Sequence, residues 1–191
     1  MAVVSGTPSD YFDHMWRADD PWDQADRFSE HRKFDITVSA LPAARYRRAF
    51  EPGCATGILT EKLSARCDLV LATDRHPRAV AVASRRTAHL PNVMTALGRI
   101  PDDMPDGPFD LIVLSEILYY LTEADVMAAI TRATHAMAVG GHLVAVHYRP
   151  LVAQHELLGD EVHALIRRAP SWRHLVEHRE NDFVLDVLER S

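Results

Sequence analysis

The chain has 191 residues, 47% of them hydrophobic and 25% charged, which suits one globular domain with its own core. A formal charge of −6 excludes a nucleic-acid binder that works by phosphate neutralisation. Two cysteines, Cys54 and Cys67, without metal-ligand or disulfide-framework spacing, and no apolar run near the roughly 20 residues that span a bilayer, exclude a secreted disulfide scaffold and a membrane span.

The basic runs Arg45-Tyr46-Arg47-Arg48 and Arg85-Arg86 are short and read as solvated strand flanks and helix ends. Nothing at the N-terminus resembles a signal peptide, so the expected address is the cytoplasm. The expected partner is a small molecule, not nucleic acid or membrane, and the expected state is a monomer or homodimer.

Residues 1–32 are polar and aromatic, with Tyr11, Phe12, Trp16 and Trp22 among Asp, Ser and Pro, and read as one or two helices with loops. Residues 32–41 place Phe34, Ile36, Val38 and Leu41 in a further helical stretch. Residues 1–45 are therefore expected to be a helical extension, and 46–191 the main domain. From Tyr46 onward, short apolar runs at 48–51, 69–73, 93–97, 109–114 and 142–147 read as buried strands. They alternate with helical stretches at 58–66, 77–90 and 124–138, the second opened by Pro77 and the third closed by Gly140-Gly141. Such β–α alternation calls for a mostly parallel sheet with helices on both faces, an α/β Rossmann-like fold. Residues 160–169 read as a helix with a cap at Asp160, and 172–178 and 183–188 as an antiparallel hairpin that ends the sheet.

The first strand ends in Phe50-Glu51-Pro52-Gly53-Cys54-Ala55-Thr56-Gly57 and runs straight into a helix. Small residues at 53, 55 and 57 let the backbone turn sharply and approach a ligand at a helix N-terminus. A dinucleotide-binding G-x-G-x-x-G needs its third glycine where this chain has Ile58, which disfavours a nicotinamide oxidoreductase. The second strand ends at Asp74, 17 residues after Gly57, where a carboxylate can accept both hydroxyls of a ribose.

These features resemble the class I S-adenosylmethionine-dependent methyltransferases. Glu51-x-Gly53-x-Ala55-x-Gly57 is similar to their first motif with Ala in place of the middle Gly, and Asp74 matches their ribose acid. Phe109-Asp110-Leu111-Ile112-Val113 and Ala138-Val139-Gly140-Gly141-His142-Leu143 resemble the fourth strand and the approach to the fifth. The resemblance covers about residues 46–150 and implies a single domain with a seven-stranded sheet in the order 3-2-1-4-5-7-6. It also implies S-adenosyl-L-methionine as cofactor and the 1–45 extension as a lid over it, with Trp22 against adenine and Arg27 on a carboxylate. Glu51, Gly53, Ala55, Gly57, Asp74, Arg75, Gly98, Arg99 and Ser115 complete the expected cofactor site. Arg99, in Leu97-Gly98-Arg99-Ile100, stands where many members have an adenine-binding acid; Gly98 backbone, Asp102 or Asp103 are the substitutes.

Asp20-Pro21-Trp22, Arg27-x-Ser29-Glu30 and Glu116-Ile117-Leu118-Tyr119-Tyr120-Leu121 are similar to the nodulation-factor N-methyltransferases, the NodS type. That similarity implies methylation of a free amine on a sugar or oligosaccharide; His147-Tyr148-Arg149 departs from the type. The alternatives are a sugar O-methyltransferase and a non-catalytic nucleotide-binding module. Strand counting puts Glu116 at the crevice beyond the fourth strand, to steer the sulfonium or hold an amine, Tyr119 beside it, to bound the methyl-transfer channel, and His147 at the end of the fifth, as a general base. His163 is a second, weaker candidate, and no metal site is expected.

Overall fold

A computed structural model of the protein describes residues 6–191. Two helices come first, α1 (Ser9–Met15) and α2 (Phe28–Ser39). The alternating core follows: β1 (Tyr46–Pro52), α3 (Ile58–Ser64), β2 (Cys67–Asp74), α4 (Pro77–Thr87), β3 (Val93–Leu97) and β4 (Phe109–Ser115). A 3₁₀ turn, Leu118–Tyr120, leads to α5 (Glu123–Ala136), β5 (Met137–Tyr148), α6 (Gly159–Arg167), β6 (Trp172–Arg179) and β7 (Phe183–Arg190). All seven strands form one sheet in the order β3-β2-β1-β4-β5-β7-β6, with β7 running against its neighbours.

The strands read as unbroken apolar runs because both faces of the sheet are covered. On β4, Leu111 and Val113 face the core under α2 and α3, while Ile112 and Leu114 face the core under α5 and α6. On β5, Val144 and Val146 take the first side and Leu143 and Ala145 the second. This alternation of period two has a consequence for His147, which shares the face of Ala145 and so lies beneath α6.

The N-terminal segment is part of the packing. Phe34 of α2 is buried in the core with Leu59 and Val146, and Phe12 and Trp16 of α1 cluster with Ala79 of α4. The glycine pair at 140–141 does not end α5. The helix stops at Ala136, and the glycines lie inside β5, where pairing shifts from Phe109↔Met137 to Leu111↔His142. This bulge needs a residue with φ of +77°, which Gly140 supplies. Nor does Asp160 cap α6. It sits in the first turn and its carboxylate is held by Arg149 and Arg179, while Glu161 accepts the Leu158 N–H at 2.8 Å.

Gly57 caps α3 at φ +77°, and a Cβ there would stand 3.0 Å from the Cα of Ala83 on α4. The reading of Gly57 as ligand space is therefore corrected: its missing side chain lets two helices meet. Gly57→Ala is expected to lower unfolding free energy by about 1–3 kcal/mol, from backbone strain and helix displacement. Denaturant titration measures it.

Candidate active site

The parallel strands bring their carboxyl ends to one edge, where ligands of open α/β sheets bind. A cavity of about 660 Å³ opens there, roofed by α1 and α2. Its walls include Trp22, Arg27, Glu51, Gly53, Ala55, Asp74, Arg75, Gly98, Arg99 and Ser115, together with Glu116 and Tyr119.

One end is built on two strand-to-helix turns. Gly53 takes φ +73°, and a Cβ there would come within 2.8 Å of Ile117 Cδ1. Ala55 takes φ +46°, a left-handed conformation in which a side chain is strained, at the position where the resemblance has Gly. The strain is held by Asp74: Oδ2 accepts the Ala55 N–H at 3.1 Å and Oδ1 accepts the His76 N–H at 2.9 Å. One carboxylate thus ties the turn after β1 to the turn after β2, and each oxygen keeps a lone pair for a further donor. Burial raises the Asp74 pKa, and the two N–H bonds work against that rise. The Gly98 N–H is bound to the Asp74 carbonyl at 2.9 Å, which brings the end of β3 alongside.

Glu51 behaves differently. It is 2% exposed, accepts a 2.6 Å bond from Thr60 Oγ1, and has its pKa pushed up to about 8, chiefly by burial and further by Asp74. No attraction to a cation acts on it.

At the other end stand Ser115, Glu116, Tyr119 and Tyr120. Glu116 takes φ +55°, and the Tyr119 hydroxyl donates to its Oε2, as does the Tyr148 N–H at 3.2 Å. Lys33 of α2 projects into the cavity, with Nζ 2.9 Å from Glu116 Oε1 in an ion-pair contact and 2.9 and 3.0 Å from the Glu30 oxygens. Burial lowers the Lys33 pKa, yet the two carboxylates raise it more, so the ammonium stays charged. Three charges in contact leave a net of about −1 facing the cavity. The His155 ring also lines it, stacked on Tyr119 with centroids 3.8 Å apart, and burial lowers its pKa. Tyr119 itself is held far above the usual phenol range by burial and Glu116, and stays neutral.

His147 is not among the groups that face the cavity. Its ring has no exposed surface; Nε2 accepts the Leu118 N–H at 3.2 Å and Nδ1 meets His163 Nε2 at 3.0 Å. Strand counting placed the residue correctly along β5, but the pleat turns it under α6. Asp102 binds the Arg99 guanidinium at 2.6 Å and Asp103 accepts the Arg99 N–H at 3.0 Å, and neither lines the cavity. Lys33, Glu30, Gln24 and His155 line the site and escaped the sequence reading. Glu30 was quoted only as part of a motif, and the others lie in segments without glycine-turn or strand signals.

The family model for nodulation protein S (NodS) matches residues 7–179. The chain belongs to the NodS family. Nodulation protein S of Rhizobium tropici is 33% identical over 129 residues, 66% of this chain and 54% of the relative. The Sinorhizobium fredii protein is 33% identical over 132 residues, 66% of this chain and 60% of its own. The alignments thus span little more than half the length of these relatives. Among solved structures, the N-methyltransferase NodS of Bradyrhizobium japonicum in complex with S-adenosyl-L-homocysteine superposes with a TM-score of 0.85 at 26% identity, covering 95% of this chain and 97% of that one. A Pseudomonas syringae protein provisionally assigned as a methyltransferase gives 0.77 at 41% identity, covering 86% and 100%. The strand order of this NodS-family chain is the one that the class I resemblance implied. Among the described residues no helix is long and apolar enough to cross a membrane, and no group of three His, Cys, Asp or Glu side chains is arranged to hold a metal ion.

The state of Glu51 has a measurable signature. Its folded pKa of about 8 lies above the ordinary 4.5, so the folded protein holds a proton that the unfolded chain releases. The associated stability is complete below pH 4.5 and is lost as pH rises through 8, by a few kcal/mol in all at about 1.4 kcal/mol per unit. Glu51→Gln is expected to remove that decline, so its stability relative to wild type increases from pH 5 to pH 9. Denaturation midpoints across that range check it.

Proposed function

We propose that this chain transfers a methyl group from S-adenosyl-L-methionine to a free amine on a carbohydrate acceptor. The observation that carries the reading is a single cavity with two chemically distinct ends, a glycine-turn end with acids at Glu51 and Asp74 and an end with Glu116, Lys33 and His155. The relationship to a NodS structure that holds S-adenosyl-L-homocysteine supports the choice of cofactor.

The residues present fit that cofactor. Asp74 keeps lone pairs for ribose hydroxyls, Gly53 supplies the φ of +73° that the first turn needs, and buried Glu51 lacks only a cation to make its carboxylate stable. Trp22, edge-on to Trp16 at 5.7 Å, and Arg75, its guanidinium 4.6 Å over the Phe12 ring, also line the cavity. When bound, the cofactor supplies a methyl carbon on a sulfonium, open to in-line attack by a lone pair. This chain's residues position the attacking atom and exclude water, with residues 6–45 acting as the lid.

The burial of His147 favours nitrogen over oxygen as the acceptor atom. A sugar hydroxyl needs a base in contact with it during attack, whereas an ammonium needs only to lose its proton beforehand. The net negative charge of Glu30, Lys33 and Glu116 attracts an ammonium, and the His155 ring, held neutral by burial, receives the proton. A second reading, sugar O-methylation, has one observation in its favour: Glu116 already accepts a hydroxyl bond, from Tyr119.

The deciding experiment offers the enzyme and S-adenosyl-L-methionine a chitooligosaccharide with a free terminal amine and its fully acetylated counterpart. The expected result is one N-methylated product, from the free amine alone, by mass spectrometry. An O-methylated product from both would favour the second reading, and cofactor binding without turnover would indicate a nucleotide-binding module. Asp74→Ala should weaken S-adenosyl-L-homocysteine binding by about 1.5–3 kcal/mol, read by calorimetry. His155→Ala should lower turnover on the amine by about 10²-fold while leaving that binding unchanged.

A further inference from the structure

Behind the cavity, buried side chains form an unbroken line from the 3₁₀ turn, beneath α6, to β7 on the same face of the sheet. The Leu118 N–H, on a residue with no exposed surface, donates to His147 Nε2 at 3.2 Å. His147 Nδ1 lies 3.0 Å from His163 Nε2, and His163 Nδ1 lies 2.7 Å from Asp186 Oδ2. Both rings and the carboxylate are at most 1% exposed. Asp186 also accepts Arg167 Nε and Nη2 at 2.8 Å each, and His174 Nε2 approaches Oδ1 at 2.7 Å. These partners hold its pKa far below the usual carboxylate range against the effect of burial, so it is charged.

The two ends leave one arrangement of protons. A backbone N–H can only donate, so His147 Nε2 is bare and its ring proton sits on Nδ1. That proton points at His163 Nε2, which is then bare, and the His163 proton sits on Nδ1 and points at Asp186, which can only accept. Every polar atom of both rings is used once, with both rings neutral, and burial holds the His147 pKa well below the ordinary range. Gly159 makes the line possible, since a Cβ there would run into the Tyr148 carbonyl oxygen and push α6 away.

At the cavity end the line stops on the turn that carries Tyr119 and Tyr120. Tyr119 packs edge-on against His147 with centroids 5.3 Å apart, and its hydroxyl reaches Glu116. We propose that His147 and His163 are positioning residues: with Asp186 they lock the Leu118–Tyr120 turn through a hydrogen-bond line of fixed polarity, and so set the Tyr119 hydroxyl on Glu116 for the acceptor. This role rests on the methyl-transfer reading for its catalytic consequence but not for its wiring.

The wiring is tested first, without substrate. In ¹⁵N-histidine spectra, with His147→Gln and His163→Gln used for assignment, both rings should show the neutral form with the proton on Nδ1. A proton on Nε2, or an imidazolium, in either ring near neutral pH would overturn the proposal. The catalytic consequence is tested at saturating cofactor and acceptor. His147→Leu, which orphans the Leu118 N–H, should lower kcat by roughly ten- to a hundred-fold with cofactor affinity unchanged, as sub-ångström displacement of a positioned group does. His147→Gln, whose Oε1 can take the Leu118 N–H, should keep kcat within a few-fold of wild type, a result that needs no folded Leu variant. Equal losses of kcat in folded Gln and Leu variants, or a parallel loss of cofactor affinity, would overturn the positioning role. Correct tautomers in a protein that transfers no methyl group to any acceptor would leave the wiring standing and retire the methyl-transfer reading.

Discussion

Carboxylates in a cavity of low dielectric must each be answered by a hydrogen-bond donor, a cation or a proton, and the carboxyl edge of this sheet is arranged around that requirement. Asp74 is answered by the backbone N–H groups of Ala55 and His76, and in being answered it joins two loops. Glu116 and Glu30 are answered by Lys33, which draws α2 down onto the cavity. Glu51 has only the Thr60 hydroxyl, so it keeps a proton. The local geometry of the site, strained Ala55 and Glu116 included, follows from how these charges are met.

The same logic runs behind the sheet. Asp186 is fully buried and is met by His163, His174 and Arg167, so its charge is balanced from α6 and β6. His163 then presents an accepting nitrogen to His147, which presents one to the backbone of the 3₁₀ turn. A charge outside the cavity lining is thereby connected to a turn that borders it. Satisfied polar networks of this kind specify one arrangement of a core because any alternative strands a donor.

The sheet and its order were legible because β4 and β5 are apolar on both faces and the turn at 53–57 has a strict pattern of small residues. The glycine-turn end of the cavity was legible for the same reason, since Gly53, Ala55 and Asp74 sit at fixed offsets from strand ends. His147 was placed on the right strand at the right end, but which face it takes depends on the pleat and on α6, and neither is written locally. Gly57 shows the same limit: its pattern announces a turn without saying whether the empty space serves a ligand or a helix. Lys33 and His155 were not legible at all, because each is held at the cavity by contacts more than thirty residues away in sequence, with Glu116 and Tyr119.

The central claim is that the cavity lacks one cation at Glu51, which a positively charged cofactor supplies. Binding titrations of S-adenosyl-L-methionine at pH 7, in buffers of different ionisation enthalpy, measure the protons exchanged. The account predicts release of about one proton per bound molecule by wild type, because the cation makes the Glu51 carboxylate stable, and none by Glu51→Gln. Binding by wild type without proton release, or equal release by Glu51→Gln, would contradict it.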